Sequence, residues 1–291
     1  MKRILIVIMS CNQEHFINEE QICKNTYLSR LPDNIDYIIY RGASDKLSFD
    51  NHLLKLNVED DLFNTYRKTY LALNYIHNNL EYDYIFRTNT STYVNVDLLN
   101  KFVQSLEDYN IVWTGELTYN VTKDSQCLTL YGRGNGLLLS NANVYHLLQE
   151  GIGMYFLINR VIDDSGIGCV LNGYRIKNKE PYYDYIKSYK EGWYKSTAGP
   201  YTPHQVCNMN NSCKDFDFLK QMITIQIRNW YDRSLEEQHF YEIDEVFKNN
   251  KDKDIDNTVK SQYEYSKNPD IFIGHKIGFR IYNDIIKKEE H

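Results

Sequence analysis

Asp163 and Asp164 stand side by side just ahead of a segment that reads as a helix, and Gly166 and Gly168 follow them. A carboxylate at a helix start is held in its charged form by the positive end of the helix dipole. Facing an open ligand, such a group can take the proton from a hydroxyl as that oxygen attacks. The same position suits an aspartate that only caps the helix. A second stretch, IFRTNTSTYVNVDLL (85–99), reads as a strand end opening into a loop and then a helix. Its loop offers the neutral oxygens of Asn89, Thr90 and Ser91, with no carboxylate before Asp97. Magnesium and manganese prefer anionic oxygen ligands. No tight metal site is therefore expected at this loop, and neither ion is supported as a cofactor. Asn89 and Ser91 can hydrogen-bond the hydroxyls of a ligand, or simply form the turn.

Cations for an anionic ligand come from three arginines. Arg87 ends the third expected strand, Arg133 lies inside GRGNG, and Arg228 ends a late strand in TIQIRNWYDR. A guanidinium grips phosphate oxygens through two parallel bonds. A structural or surface ion pair is the competing role for each. Gly134 and its neighbouring glycines let backbone approach a ligand closely, and Asn135 is a polar contact among them. No Lys-Ser/Thr follows, so this is not a phosphate-binding P-loop. Ser10 and Asn12, after the first strand, are placed to meet a base or ribose, or to make a structural turn. His204, His239 and His275 are isolated and take no assigned role.

The elements that would position these groups alternate along the chain. Ile4 to Met9 reads as a buried strand, His15 to Leu31 as a helix ended by Pro32, and DYIIY (36–40) as a second strand. From Asp61, helical spacing places Leu62, Phe63, Tyr66, Tyr70, Leu73, Ile76 and Leu80 on one buried face. YDYIF, NIVWTG and GLLLS supply three more strands. Asp97 is placed to cap a helix running to about Glu107, and a helix near Asn143 to Gln149 follows GLLLS. This alternation predicts an α/β, Rossmann-like sandwich, a mostly parallel central sheet with helices on both faces. Ligands of such sheets bind beyond the carboxyl ends of the strands. That edge gathers Ser10 to Asn12, Arg41 to Ser44 and Asn89 to Ser91. One domain over 1–291 is expected, with a nucleotide-binding part (1–115), a donor and acceptor part (116–245) and a C-terminal extension (246–291).

A net charge of −6 argues against nucleic acid as a partner, since phosphate contacts need a basic surface. The apolar start is too short for a signal-peptide core or a membrane span. The six cysteines show no CxxC pairs or zinc spacing, so reduced thiols in a cytoplasmic protein are expected. Tyr182, Tyr183, Trp193 and Tyr194 could stack on an acceptor sugar, although core packing competes for them.

Four stretches, in order, carry a family resemblance. DDLFNTYRKTYLALNYI resembles the D-x-Y-x-N-L-T-x-K-T helix of the β1,3-glycosyltransferase and fringe superfamily. FRTNTSTYVNVDLL is similar to its K-x-D-D-D-V-F-V-N-x-x-x-L, and YGRGNGLLLSNANVYHLL to its S-G-G-G-Y-V-L-S segment. DDSGIGCVLNGYRI is similar to [ED]-D-V-x-x-G-x-x-x-x-x-G-I. The resemblance covers roughly Asp60 to Ile176. It implies a GT-A fold and an inverting transfer from a nucleotide sugar, uridine-linked, to a glycan or lipid-linked hydroxyl. Asp164 is then the base and Asp163 its neighbour. Aligned on Tyr93-Val94-Asn95, Asn89, Thr90 and Ser91 occupy the positions of three metal-binding aspartates, so the chain reads as a member lacking that motif. Its helix lysine is read as absent, with Ala72 at its place.

The expected enzyme is a bacterial-type hexosyltransferase, metal-independent or weakly metal-dependent, building a capsular or other surface polysaccharide at the inner face of the membrane. The alternative is a catalytically inactive, glycosyltransferase-like binding or assembly protein. The absence of GxGxxG, and of Tyr-x-x-x-Lys beside it, disfavours a dehydrogenase or epimerase.

Overall fold

The computed structural model describes residues 1–106, 111–114, 117–119, 127–128, 130–132, 134, 136–149, 162–172, 175–176, 195–198, 216–220, 223–227 and 234–250. The chain begins β1 (Ile4–Met9), α1 (Glu14–Asn25), β2 (Ile35–Arg41), β3 (Ser48–Asp50), β4 (Leu53–Lys55), α2 (Thr65–Asn79), β5 (Tyr84–Asn89) and β6 (Thr92–Val94). It continues with α3 (Val96–Ser105), β7 (Ile111–Thr114), β8 (Leu117–Tyr119), β9 (Cys127–Leu128), β10 (Leu130–Gly132), β11 (Leu137–Ser140) and α4 (Asn141–Gln149). Then come α5 (Asp163–Asn172), β12 (Arg175–Ile176), β13 (Lys195–Ala198), α6 (Phe216–Leu219), β14 (Thr224–Gln226) and α7 (Ser234–Asn249).

Among the described residues the main sheet has eight strands, in the order β13-β7-β11-β5-β1-β2-β4-β3. Its centre, β5-β1-β2-β4, is wholly parallel. β11 departs from the parallel expectation, running antiparallel to both β5 and β7. Alternation along each strand divides the core into two layers. Ile4, Ile6 and Ile8 of β1 pack with α1, α3 and α7 on one face. Leu5 and Val7 pack with α2, α4 and α5 on the other. Arg87 shares the parity of Ile85, so β5 directs it into the second layer.

Several elements differ from the sequence expectation for local reasons. α1 stops at Asn25, where Thr26 turns its hydroxyl back onto the Ile22 carbonyl at 2.7 Å, and a 3₁₀ turn fills Tyr27–Arg30. A 3₁₀ turn at Leu62–Asn64 precedes α2, capped by Asp61, whose carboxylate accepts from the Phe63 and Asn64 amides. Leu62 and Phe63 are thereby exposed, and the buried face of α2 runs through Thr65, Tyr66, Lys68, Thr69, Ala72, Leu73 and Ile76. Asn95, not Asp97, caps α3, accepting from the Leu98 amide at 3.2 Å. α7 crosses the expected boundary at 245/246. The aromatic run 182–194 lies outside the described residues.

Glycine decides how α5 meets α2. A Cβ on Gly166 would lie 2.2 Å from the Tyr66 ring, and that ring is fully buried. Alanine would gain about 1 kcal/mol of helix propensity, but the ring has nowhere to go. Gly166→Ala is expected to lose about 1–3 kcal/mol net, read as a lower urea midpoint with an unchanged slope.

Candidate functional site

Seven acidic or basic side chains of the Asp, Glu, Lys and Arg types are buried among the described residues: Glu19, Glu20, Lys68, Arg87, Asp163, Glu236 and Asp244. Burying a charge is expensive unless it is paired. All but Asp244 gather around the carboxyl ends of β1, β2 and β5, where an open α/β sheet binds its ligands.

The first group joins β5, α2 and α5. Arg87 is 1% exposed and forms an ion pair with Asp163, the first residue of α5. Its Nη1 donates to the Gly134 carbonyl at 2.7 Å. Burial lowers the pKa of the guanidinium, and the charge of Asp163 outweighs that and holds it above its ordinary value. Asp163 also accepts from Thr69 Oγ1 at 3.3 Å, and its amide donates to Thr65 Oγ1 at 3.1 Å. The Tyr40 hydroxyl shares Thr69 Oγ1 at 2.7 Å. Gly134 must be glycine, because a Cβ there would come within 2.4 Å of Arg87 Nη1. Asp164, beside this sealed pair in the first turn of α5, is part-exposed.

These contacts bear on two expectations. Arg87 is engaged by Asp163 and Gly134 and sits out of solvent, contacts that compete with the expected grip on a ligand phosphate. Asp163 is equally enclosed and acts on its surroundings by fixing α5. Arg133, Asn135 and Arg228 lie outside the described residues.

The Asn89-Thr90-Ser91 loop forms a self-satisfied turn. Asn89 Oδ1 accepts from the Ser91 and Thr92 hydroxyls at 2.9 and 2.8 Å, and its Nδ2 donates to Gly134 O at 3.0 Å. Thr90 donates to the Glu19 carboxylate, and the Cys23 thiol to the Thr90 carbonyl at 3.4 Å. Ser91 is buried. The side-chain oxygens of the turn are neutral and engaged with internal donors and acceptors. Such neutral, engaged oxygens do not fit the metal that aspartates at these positions would hold.

The second group closes the end of β1, and sequence reasoning missed it. Lys68 is 0% exposed and forms an ion pair with Asp60, while its Nζ donates to the Ser10 carbonyl at 2.6 Å. Asp60 also accepts from the Asn12 amide at 2.6 Å, so Asn12 is held through its backbone with its residue exposed. Ser10 is buried, its hydroxyl donating to Glu20, an internal bond that competes with the expected contact to a base or ribose. Counted from Asp60 along D-x-Y-x-N-L-T-x-K-T, the lysine falls on Lys68, with Asn64 and Thr69 also matching. Ala72 is therefore not its replacement. The signal was a charge within the buried stripe, at the helical spacing of Thr65 and Ala72. Glu19 and Glu20 interrupt the spacing from Phe16 to Cys23 in the same way.

No protein-family model matches the chain, and no curated protein matches it. Among solved structures it is similar to the mannosyltransferase PcManGT from Pyrobaculum calidifontis in complex with GDP-Man and Mn2+. The identity is 13% and the TM-score 0.36, over 60% of this chain and 53% of that one. It is also similar to the apo-form glycosyltransferase GlyE in Streptococcus pneumoniae TIGR4, at 11% identity and a TM-score of 0.41, over 91% of this chain and 64% of that one. The chain thus spans between half and two thirds of the length of these neighbours. Likenesses this distant carry no functional argument, and function rests on the residues themselves.

Asp163→Asn strands the Arg87 charge in the second core layer and is expected to cost about 3–5 kcal/mol in urea unfolding. Arg87→Met combined with Asp163→Leu is expected to cost less than either single change, because no lone charge remains. The Cys23 thiol, pushed up to about 12 by burial, stays protonated in the folded chain when the unfolded thiol ionises near 9.0. Its contribution is therefore intact below pH 9 and is lost as pH rises toward 12. Between pH 9 and 12, Cys23→Ala should flatten the fall of stability by up to about 1.4 kcal/mol per pH unit.

Proposed function

We propose that the chain is an inverting glycosyltransferase of the GT-A type, moving a hexose from a uridine-linked donor to a glycan hydroxyl. Asp164 is the observation that carries this reading. It is a part-exposed carboxylate in the first turn of α5, beside a buried ion pair that holds the helix start in place. The four ordered motif resemblances over Asp60 to Ile176 support the same reaction class.

In that reaction the acceptor oxygen attacks the anomeric carbon from the face opposite the diphosphate. The bond from that carbon to the leaving oxygen breaks, and its electron pair departs with the nucleoside diphosphate. Asp164 takes the acceptor proton. Charge on the departing diphosphate needs fixed cations, a role assigned to Arg133 and Arg228, since Arg87 is committed to Asp163. Asn89, Gly134, Asn135 and Ser91 border the donor; the Asn89 amide and the Gly134 carbonyl already bond each other, which limits them to a shaping role. No step is routed through a metal at the Asn-Thr-Ser turn.

The setting proposed is the cytoplasmic face of a bacterial membrane, where a lipid-linked acceptor for surface polysaccharide would be presented. Among the described residues no helix is long and apolar enough to cross a membrane. A second reading, a catalytically inactive, glycosyltransferase-like binding or assembly protein, is favoured by the engagement of Arg87 with Asp163, which occupies one expected phosphate cation.

One set of assays separates the two. The full chain, incubated with a panel of uridine-linked sugars, should release uridine diphosphate in magnesium-free buffer, with added magnesium changing the rate by less than about tenfold. Asp164→Asn should lower turnover by about 10²–10⁴-fold while leaving nucleotide affinity unchanged. Full activity in that variant would remove Asp164 from the chemistry. Nucleotide binding without turnover would sink the transferase reading, and no nucleotide binding at all would favour the inactive binding or assembly protein.

A further inference from the structure

Three side chains outside the transfer chemistry converge on the far side of the Asn-Thr-Ser turn. His15 and Glu19 lie one turn apart on α1, so they share a face. Glu236 comes to them from the first turn of α7. His15 Nε2 is 2.9 Å from Glu19 Oε1 and 3.5 Å from Glu236 Oε2, and the three ligand atoms all lie within 4.8 Å of one another. Both glutamate side chains are 3% exposed, and the three facing atoms are shielded from solvent.

We propose that His15, Glu19 and Glu236 bind one divalent first-row transition cation of the zinc class, which fastens α7 to α1 behind Thr90. The nearest pair, His15 Nε2 and Glu19 Oε1, is close in space but not aligned as a hydrogen bond. One imidazole nitrogen and two carboxylate oxygens gathered within 4.8 Å of one another make a ligand set for a single divalent ion. Metal bonds of about 2.0–2.2 Å meeting near tetrahedral angles set ligand atoms roughly 3.3–3.6 Å apart; the His15–Glu236 pair at 3.5 Å matches this, and the His15–Glu19 pair at 2.9 Å would open by a few tenths of an ångström on binding. One imidazole with two carboxylates suits zinc, manganese or cobalt better than magnesium or calcium, which favour oxygen alone.

The surroundings complete such a site. The other oxygen of Glu19 accepts from the Thr90 hydroxyl, which orients the carboxylate as an outer-shell partner does. His15 is part-exposed and leaves a path for the ion to enter. Through Thr90 the ion would brace the turn on the wall of the proposed donor site without touching the reacting atoms. The inference does not depend on sugar transfer, because its readouts are binding and stability.

The test uses the full chain stripped with chelator and then titrated with zinc, manganese and magnesium chlorides. Calorimetry should show one zinc per chain with a Kd near or below micromolar, and magnesium should show no saturable heat. Zinc at a hundredfold excess over that Kd should raise the Tm by roughly 5 °C. His15→Gln and Glu236→Gln should each weaken zinc by about tenfold or more. Where a variant fails to fold, cobalt added to the stripped wild-type chain should give a visible absorption band with a one-to-one endpoint that zinc abolishes. A cobalt spectrum unchanged from buffer, no saturable zinc binding, or zinc binding equal in wild type and both variants would overturn the proposal. So would a Tm that follows imidazole protonation and ignores zinc, since a proton would then fill the role.

Discussion

The Arg87–Asp163 ion pair is the constraint on which the site is built. Each charge loses several kcal/mol of hydration on burial, so the pair is tolerable only with good geometry and further hydrogen bonds. Gly134 O and Thr69 Oγ1 provide them, and the Thr65 hydroxyl holds the Asp163 amide. That demand ties together β5, Gly134, α2 and α5. Alanine at 134 or 166 would push a Cβ into the guanidinium or into the Tyr66 ring. The ion pair against Gly134 and the close contact of Gly166 with Tyr66 leave α5 little freedom of position. Asp164 inherits its placement from that rigidity.

α2 carries the same logic to the neighbouring strand end. Thr65 and Thr69 serve the α5 side, while Lys68 reaches the end of β1 and binds Asp60 and Ser10 O. Asp60 in turn holds the Asn12 amide, and Gly42 lets its loop pass close to the Val58 carbonyl. Ala43 beside it adopts a left-handed backbone, φ 54°, with its amide bonded to Val58 O at 2.7 Å. A non-glycine residue in that region costs roughly 1–2 kcal/mol. The loop thus carries local strain at the same edge as the buried charges, where strained residues tend to cluster.

The opposite face of the sheet supports the edge from behind. Glu20 takes the Ser10 hydroxyl and approaches Arg41, while Glu19 takes Thr90. Cys23 bonds the Thr90 carbonyl. The turn where the family resemblance places metal-binding aspartates is here clamped by neutral side chains and by one carboxylate from α1. Preorganisation therefore comes from buried protein groups on both sides of the strands.

The linear order of residues determined the layered architecture. Apolar runs such as ILIVIM, and the helical stripe through Tyr66, Leu73 and Ile76, can be satisfied only by a sheet covered on both faces, because hydrophobic period depends on local geometry. It also determined that the Asn-Thr-Ser loop lacks anionic ligands and that Asp164 begins a helix. Tertiary structure alone decided which charges meet. Arg87 and Asp163 are 76 positions apart, and nothing local distinguishes an arginine that grips a phosphate from one that neutralises a buried aspartate. Lys68, Glu19 and Glu20 fall within apolar stripes along the chain, but only the fold brings them, and Glu236, to the groups that face them. The free energy of a buried charge depends on its partner across space, and chain order does not state that partner.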